Sequence, residues 1–176
     1  MSLKSRIVKG VKNMLTKRGD EGFVDTECKI GSAIKTQDVL IYIPEIIGDD
    51  ISKIKNETVH YIFYLIESLG LDHLIIIYSQ ITPQALEILT VHKVYRIELF
   101  KYKQMLFDPT THKKTPHHRK MSQLEIDTEL KGLRMCDLPS IKESDVIVRF
   151  FDWEVGDTIK IDRIDGSPYY RVVVKE

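Results

Sequence analysis

Apolar residues recur along this chain with two periods, and the changes between them predict its elements. Leu3, Ile7, Val11, Met14 and Leu15 fall at helical spacing, which puts them on one face of a helix over 2–18. Gly19 follows at once and suits a left-handed C-cap. Residues 22–36 are polar and ambiguous, with room for an edge strand. VLIYI at 39–43 is an apolar, β-branched run closed by Pro44, the pattern of a buried strand. Val59, Ile62, Phe63, Ile66 and Leu69 then recur at helical intervals and predict an amphipathic helix ending at Gly70. LIIIY at 74–78 is a second continuous apolar run, which implies cover on both faces. Strand, helix and strand in this order form a βαβ unit, so an α/β layer is expected.

The next stretch, ITPQALEIL, opens a helix: Thr82 suits the N-cap and Pro83 the first turn. Ala85, Leu86 and Leu89 are expected to face inward. VYRIEL at 94–99 alternates as a strand does, and KYKQMLF at 101–107 is expected to extend it or pair nearby. DPTTHKKTPHHRK at 108–120 is polar and proline-punctuated. It is the expected boundary between an N-terminal α/β domain, 1–107, and a smaller C-terminal α+β domain, 108–176. SQLE at 122–125 fits a capping box opening a helix to about residue 131. DLPSI reads as extended or turning. Ser144 or Asp145 can cap a short helix over 146–151, and Gly156 breaks it. TIKID and YYRVVV alternate around the turn signal DGSP and predict a β-hairpin. The fold class is α/β in the first domain and α+β overall.

Charge changes this picture little. Twenty-six basic and twenty-six acidic side chains cancel, so any nucleic-acid contact must be local or shared with partners. Locally the balance is uneven. Residues 1–18 carry Lys4, Arg6, Lys9, Lys12, Lys17 and Arg18 and no acid, which fits either a solvated helix face or a phosphate-facing surface. Cys28 and Cys136 are unpatterned and predict no disulfide, which favours a reducing, intracellular setting. The N-terminus has no continuous apolar core, and no apolar run is long enough to cross a bilayer. No signal peptide or membrane partner is expected.

Candidate chemistry is sparse. His112, His117, His118 and Cys136 match no zinc-site spacing. Asp49–Asp50 and Asp20–Glu21 are adjacent acids in polar stretches, whereas acid–base catalysis needs two groups in unlike environments. No nucleophile elbow, phosphate-binding loop or metalloprotease motif is present. No catalytic residue, metal or cofactor is expected. The helix start Thr82–Pro83–Gln84–Ala85 points free N–H groups outward and could hold an anion, although taken alone an ordinary capped helix is the better account.

The C-terminal half carries an ordered set of residues: His112, Pro116 and His118; Leu138–Pro139 and Ile141; Ser144–Asp145; Arg149–Phe150–Phe151; Gly156; Lys160 and Arg163; Tyr170–Arg171. In order and spacing this set resembles the fifth subunit shared by the eukaryotic nuclear RNA polymerases and the short archaeal counterpart of that subunit. Upstream, VLIYIPE and LIIIYSQITPQALEIL resemble two strands of that family and its TPSA-type helix start. Val146 and Ile164 stand where the family usually has proline, and Ser140 where it has a basic residue. The segment between Gly19 and Val39 is shorter than in the cellular proteins, as expected of a divergent copy encoded by a large DNA virus.

The resemblance implies a non-catalytic polymerase subunit without a cofactor. Its N-terminal jaw domain would lie by the downstream DNA channel, with Thr82, Pro83, Gln84 and Ala85 near duplex phosphates and no sequence preference. Its C-terminal assembly domain would dock on the largest subunit. The interface residues implied are His112, Pro116, His118, Leu138, Pro139, Ile141, Asp145, Arg149, Phe150, Gly156, Lys160, Arg163, Tyr170 and Arg171. The location implied is the virion and host cytoplasm for a viral protein, the nucleus for a cellular one. Two alternatives remain at this point: a nuclease-like α/β enzyme, and a free-standing regulator that docks on RNA polymerase.

Overall fold

In the computed structural model, which describes residues 2–163 and 166–175, the first helix begins where Ser2 can cap it. The Ser2 hydroxyl accepts from the Ser5 N–H at 3.2 Å, opening α1 (Leu3–Arg18). Gly19, at φ +96°, closes the helix by donating its N–H to the carbonyls of Leu15 and Thr16. Ile7, Val11, Met14 and Leu15 are wholly buried. Gly10 is required by close packing: a β-carbon there would overlap the Met105 carbonyl. The chain divides into two units, Met1–Phe107 and Asp108–Glu176.

The first unit is built on a five-stranded sheet. Its strands are β1 (Val24–Thr26), β2 (Ser32–Lys35), β3 (Val39–Ile43), β6 (His73–Tyr78) and β7 (Arg96–Lys101), in the order β1-β2-β3-β6-β7. A two-stranded ribbon, β4 (Ile46–Ile47) with β5 (Asp50–Ile51), follows β3. β1, β2 and β3 pair antiparallel, whereas β3, β6 and β7 pair parallel. The parallel pairing of β3 and β6 requires a crossover, supplied by α2 (Asn56–Ser68). All five residues of β3 are buried. Leu40 and Tyr42 join Leu74 and Ile76, Val59, Ile62 and Ile66 of α2, and Ala85 and Leu89 of α3 (Pro83–Val91) in one apolar cluster. Each such aliphatic side chain contributes about 1.5–3 kcal/mol on burial. A parallel bridge between Ile54 and Ile81 sets the starts of α2 and α3 beside each other.

The second unit is a four-stranded sheet, β8 (His117–Lys120), β10 (Thr158–Asp162), β11 (Pro168–Val174) and β9 (Ser140–Lys142), in that order. β10 pairs antiparallel with both β8 and β11, and β9 joins β11 in parallel. Ile141, Ile159, Ile161 and Val173 lie on one face with Val148 of α5 (Val146–Phe151), and Trp153 and Tyr169 pack at the margin. α4 (Gln123–Glu129) carries the capping box: the Ser122 hydroxyl accepts from the Glu125 N–H, and the Glu125 carboxylate accepts from the Ser122 N–H.

The element types follow the hydrophobic periods, with four differences. Leu86 is 42% exposed rather than inward, because α3 turns Ala85, Leu89 and half-buried Ile88 to the cluster. Of residues 101–107 only Lys101 extends β7. The chain then turns into a 3-10 helix, Tyr102–Leu106, that packs against α1 with Met105 buried. VYRIEL enters its strand only at Arg96. The polar stretch 108–120 is not a linker throughout, since HHRK forms β8 on the edge of the second sheet. Ile164, and Asp165 of the DGSP turn, lie outside the described residues.

Candidate functional site

The first expected surface is the start of α3. The Thr82 hydroxyl accepts from the Ala85 N–H at 3.3 Å, and Pro83 occupies the first turn. Thr82 is half-buried, Pro83 and Gln84 are exposed, and Ala85 is buried. Ala85 is therefore packing, and what it can offer outside is its backbone. Gln84 is steadied by the Asn56 side chain, whose amide donates to Oε1 at 3.4 Å. The Thr82 N–H is taken by the Ile54 carbonyl at 3.0 Å. The geometry leaves a capped first turn with polar side chains at its rim, which can position an anion but holds no nucleophile.

Elsewhere in the first unit, the Arg18 guanidinium grips the Glu98 carboxylate with two hydrogen bonds, at 2.8 and 2.9 Å. His73 Nε2 lies 2.7 Å from the same carboxylate. Burial drives the Glu98 carboxyl upward. The hydrogen bonds from His73 and Arg18, with the Arg18 charge, outweigh that and hold it at about 2. This joins the end of α1 to β6 and β7. No local pattern signals it, because Arg18 and Glu98 are far apart along the chain.

The second expected surface lies on the second unit. Lys160 and Tyr170 are cross-strand neighbours, and Arg119 is paired with Lys160 from β8. Lys160 Nζ reaches both oxygens of Glu129 at the end of α4, at 2.9 and 2.7 Å. The Tyr170 hydroxyl donates to Glu129 at 2.7 Å, which together with burial pushes its pKa up to about 12. The same contacts, Lys160 first, hold the Glu129 carboxyl below the usual carboxylate range. On the opposite face Tyr169 takes the Arg163 guanidinium at 4.2 Å and that of Arg171 at 5.4 Å from its ring centre. Arg171 also donates to the Ser140 carbonyl at 3.4 Å, a backbone contact that does not depend on which side chain stands at 140.

The other expected residues do not converge. His118 Nδ1 lies 2.7 Å from the Pro116 carbonyl, and His112 Nδ1 accepts from the Lys114 N–H at 3.2 Å. His117 pairs with Asp162 at 3.1 Å. Each ring thus has its own protein partner. The Pro139 carbonyl accepts from Val172 beside half-buried Leu138. The Asp145 carboxylate caps α5 through the Ile147 N–H at 2.8 Å. Val146 sits at the first helical position, where proline would fit equally. Gly156, at φ +98°, donates its N–H to Val173. Arg149 is half-buried. Ile141 and Phe150, 7% and 4% exposed, present little side-chain surface, and Ile141 packs in the apolar cluster of the unit. Sequence reasoning missed Glu129, Arg119 and the Lys120–Asp157 pair at 2.7 Å. One signal for Glu129 was available: it follows Glu125 by a single helical turn, on the same face.

The family described as RNA polymerase Rpb5, C-terminal domain, matches residues 107–173. Over 91 residues the chain is 28% identical to DNA-directed RNA polymerase V subunit 5A of Arabidopsis thaliana, covering 51% of this chain and 40% of that protein. Over 90 residues it is 28% identical to subunit 5B of RNA polymerases IV and V from the same plant, 50% and 41%. Over 89 residues it is 30% identical to the putative DNA-directed RNA polymerase subunit 454R of Invertebrate iridescent virus 6, 44% and 48%. The chain thus spans less than half the length of these relatives. The matched segment coincides with a unit that has its own sheet and its own apolar cluster. The second unit of this chain is thus similar to the Rpb5 C-terminal domain.

Proposed function

We infer that this chain is a non-catalytic subunit of a multisubunit DNA-directed RNA polymerase. Its second unit is an assembly domain that docks on the largest subunit. Its first unit is a jaw that lines the downstream DNA channel, with the start of α3 near duplex phosphates. The observation that carries the reading is the family match over 107–173, which falls on one folded unit. The exposed or half-buried Lys160, Arg163, Tyr170 and Arg171 on that unit supply a charged and aromatic surface for a protein partner. The iridescent-virus relative supports a viral copy acting in the virion and host cytoplasm. The reading requires no cofactor bound by this chain.

Affinity isolation of the full chain at near-physiological salt, read by quantitative mass spectrometry, tests it. The expected result is the large polymerase subunits in a constant one-to-one ratio with this chain. A ratio that changes with growth or infection stage would favour a free-standing regulator. Absence of the large subunits would overturn the reading.

A further inference from the structure

The basic face of α1 belongs to neither surface above, and it borders a cavity within the first unit. The cavity measures about 410 Å³ and lies between α1 and the β1–β2 ladder. That is within the range of about 300–1,000 Å³ in which small ligands are held. Lys4, Val8 and Lys12 line it from the helix, at successive turns of one stripe. Thr26 and Ser32 line it from the two strands. Among the described residues neither Lys4 nor Lys12 is ion-paired. Lys12 Nζ instead has the Phe23 ring centre 5.8 Å away. Asp25 is on the same wall, and its carboxylate makes no hydrogen bond among the described residues.

Two like charges bordering one recess repel each other, and neutralising either alone leaves the second unbalanced. At 1.5 Å rise per residue, Lys4 and Lys12 are separated by about 12 Å along the helix axis. Two linked phosphates span that gap without full extension of either lysine stem. The Thr26 and Ser32 hydroxyls can donate to their oxygens. We propose that this cavity binds a compact ligand carrying linked phosphates, with Lys4 and Lys12 as its cationic ligands. Asp25 opposes the anion and lowers its affinity. A free diphosphate and successive phosphates of a nucleic-acid strand share this chemistry, and the experiment separates them. The proposal stands independently of the polymerase reading.

Cys28 lines the same cavity, whereas the other thiol, exposed Cys136, is in the second unit. In the full chain carrying Cys136→Ser, maleimide labelling of Cys28 reports occupancy. Inorganic pyrophosphate, orthophosphate and a single-stranded oligonucleotide are compared at matched ionic strength. Saturable protection by pyrophosphate beyond that by orthophosphate is expected. Protection by the oligonucleotide at lower phosphate concentration assigns the site to strand phosphates. Lys4→Gln with Lys12→Gln should raise the half-protecting concentration at least about tenfold, with unchanged circular dichroism. Asp25→Asn should lower it several-fold, a gain that misfolding does not mimic. Absence of protection by either linked phosphate, protection undiminished by the lysine substitutions, or no gain from Asp25→Asn overturns the proposal.

Discussion

At the scale of single residues, the strongest electrostatic feature is the carboxylate of Glu98. Its folded pKa lies at about 2, against an ordinary value of 4.5. A depressed carboxyl contributes stability above the unfolded pKa and loses it as pH falls through the folded one. The window is therefore pH 4.5 down to about 2. The shift corresponds to on the order of 3 kcal/mol. Glu98→Gln should destabilise the chain near neutral pH, because a neutral amide replaces the two-oxygen ion pair to Arg18. It should also flatten the acid limb of the stability profile within that window. Denaturant unfolding at stepped pH checks this, and parallel acid limbs for both proteins would refute it. Glu98 appeared in the sequence only as the polar beat of an alternating strand. Its partner, Arg18, appeared only as one more basic residue before Gly19. Neither local pattern encodes their meeting, which is made by the fold.

At the scale of elements, local chemistry was the legible part. Gly19, Thr82, Ser122 with Glu125, and Asp145 each mark a helix end by hydrogen bonds reaching only a few residues. Continuous apolar runs marked β3 and β6 for the same reason. What was not legible depends on distant partners. The 3-10 turn at 102–106 is set by α1 packing on Met105 through Gly10. β8 is a polar strand because it pairs at a sheet edge. Of the residues expected from motif order to dock, Lys160 and Tyr170 meet in the structure. Their shared anchor, Glu129, lies on a helix that buries no residue of its own. If the start of α3 faces duplex phosphates, Thr82→Ala with Gln84→Ala in the assembled polymerase should weaken downstream-duplex retention a few-fold at low salt. The difference should shrink as salt rises, because released counterions drive such contacts. Removing the cap also costs about 1 kcal/mol of stability, so Thr82→Ser, which keeps it, serves as the control. Unchanged retention at low salt would refute the placement.

At the scale of the molecule, the two units differ in how much core they own. The cluster of the first joins β2, β3 and β6 to both α2 and α3. That of the second is centred on Ile141, Val148, Ile159, Ile161 and Val173, one face of a small sheet under one short helix. Small domains bury a lower fraction of their surface and are correspondingly marginal. Cooperative units in one chain open with free energies that follow such differences. A partner that binds the closed unit shifts its opening by mass action, and leaves other units alone. Hydrogen exchange on the isolated full chain should therefore find the amides of β10 and β11 opening before those of β3 and β6. If the chain assembles with large polymerase subunits as proposed, protection should rise in β10, β11 and β9, while β3 and β6 stay as they were. If β10 and β11 already exchange as slowly as β3 in the isolated chain, the second unit needs no partner for its stability. The link from its small core to a docking role would then fail, though the family match over 107–173 would stand.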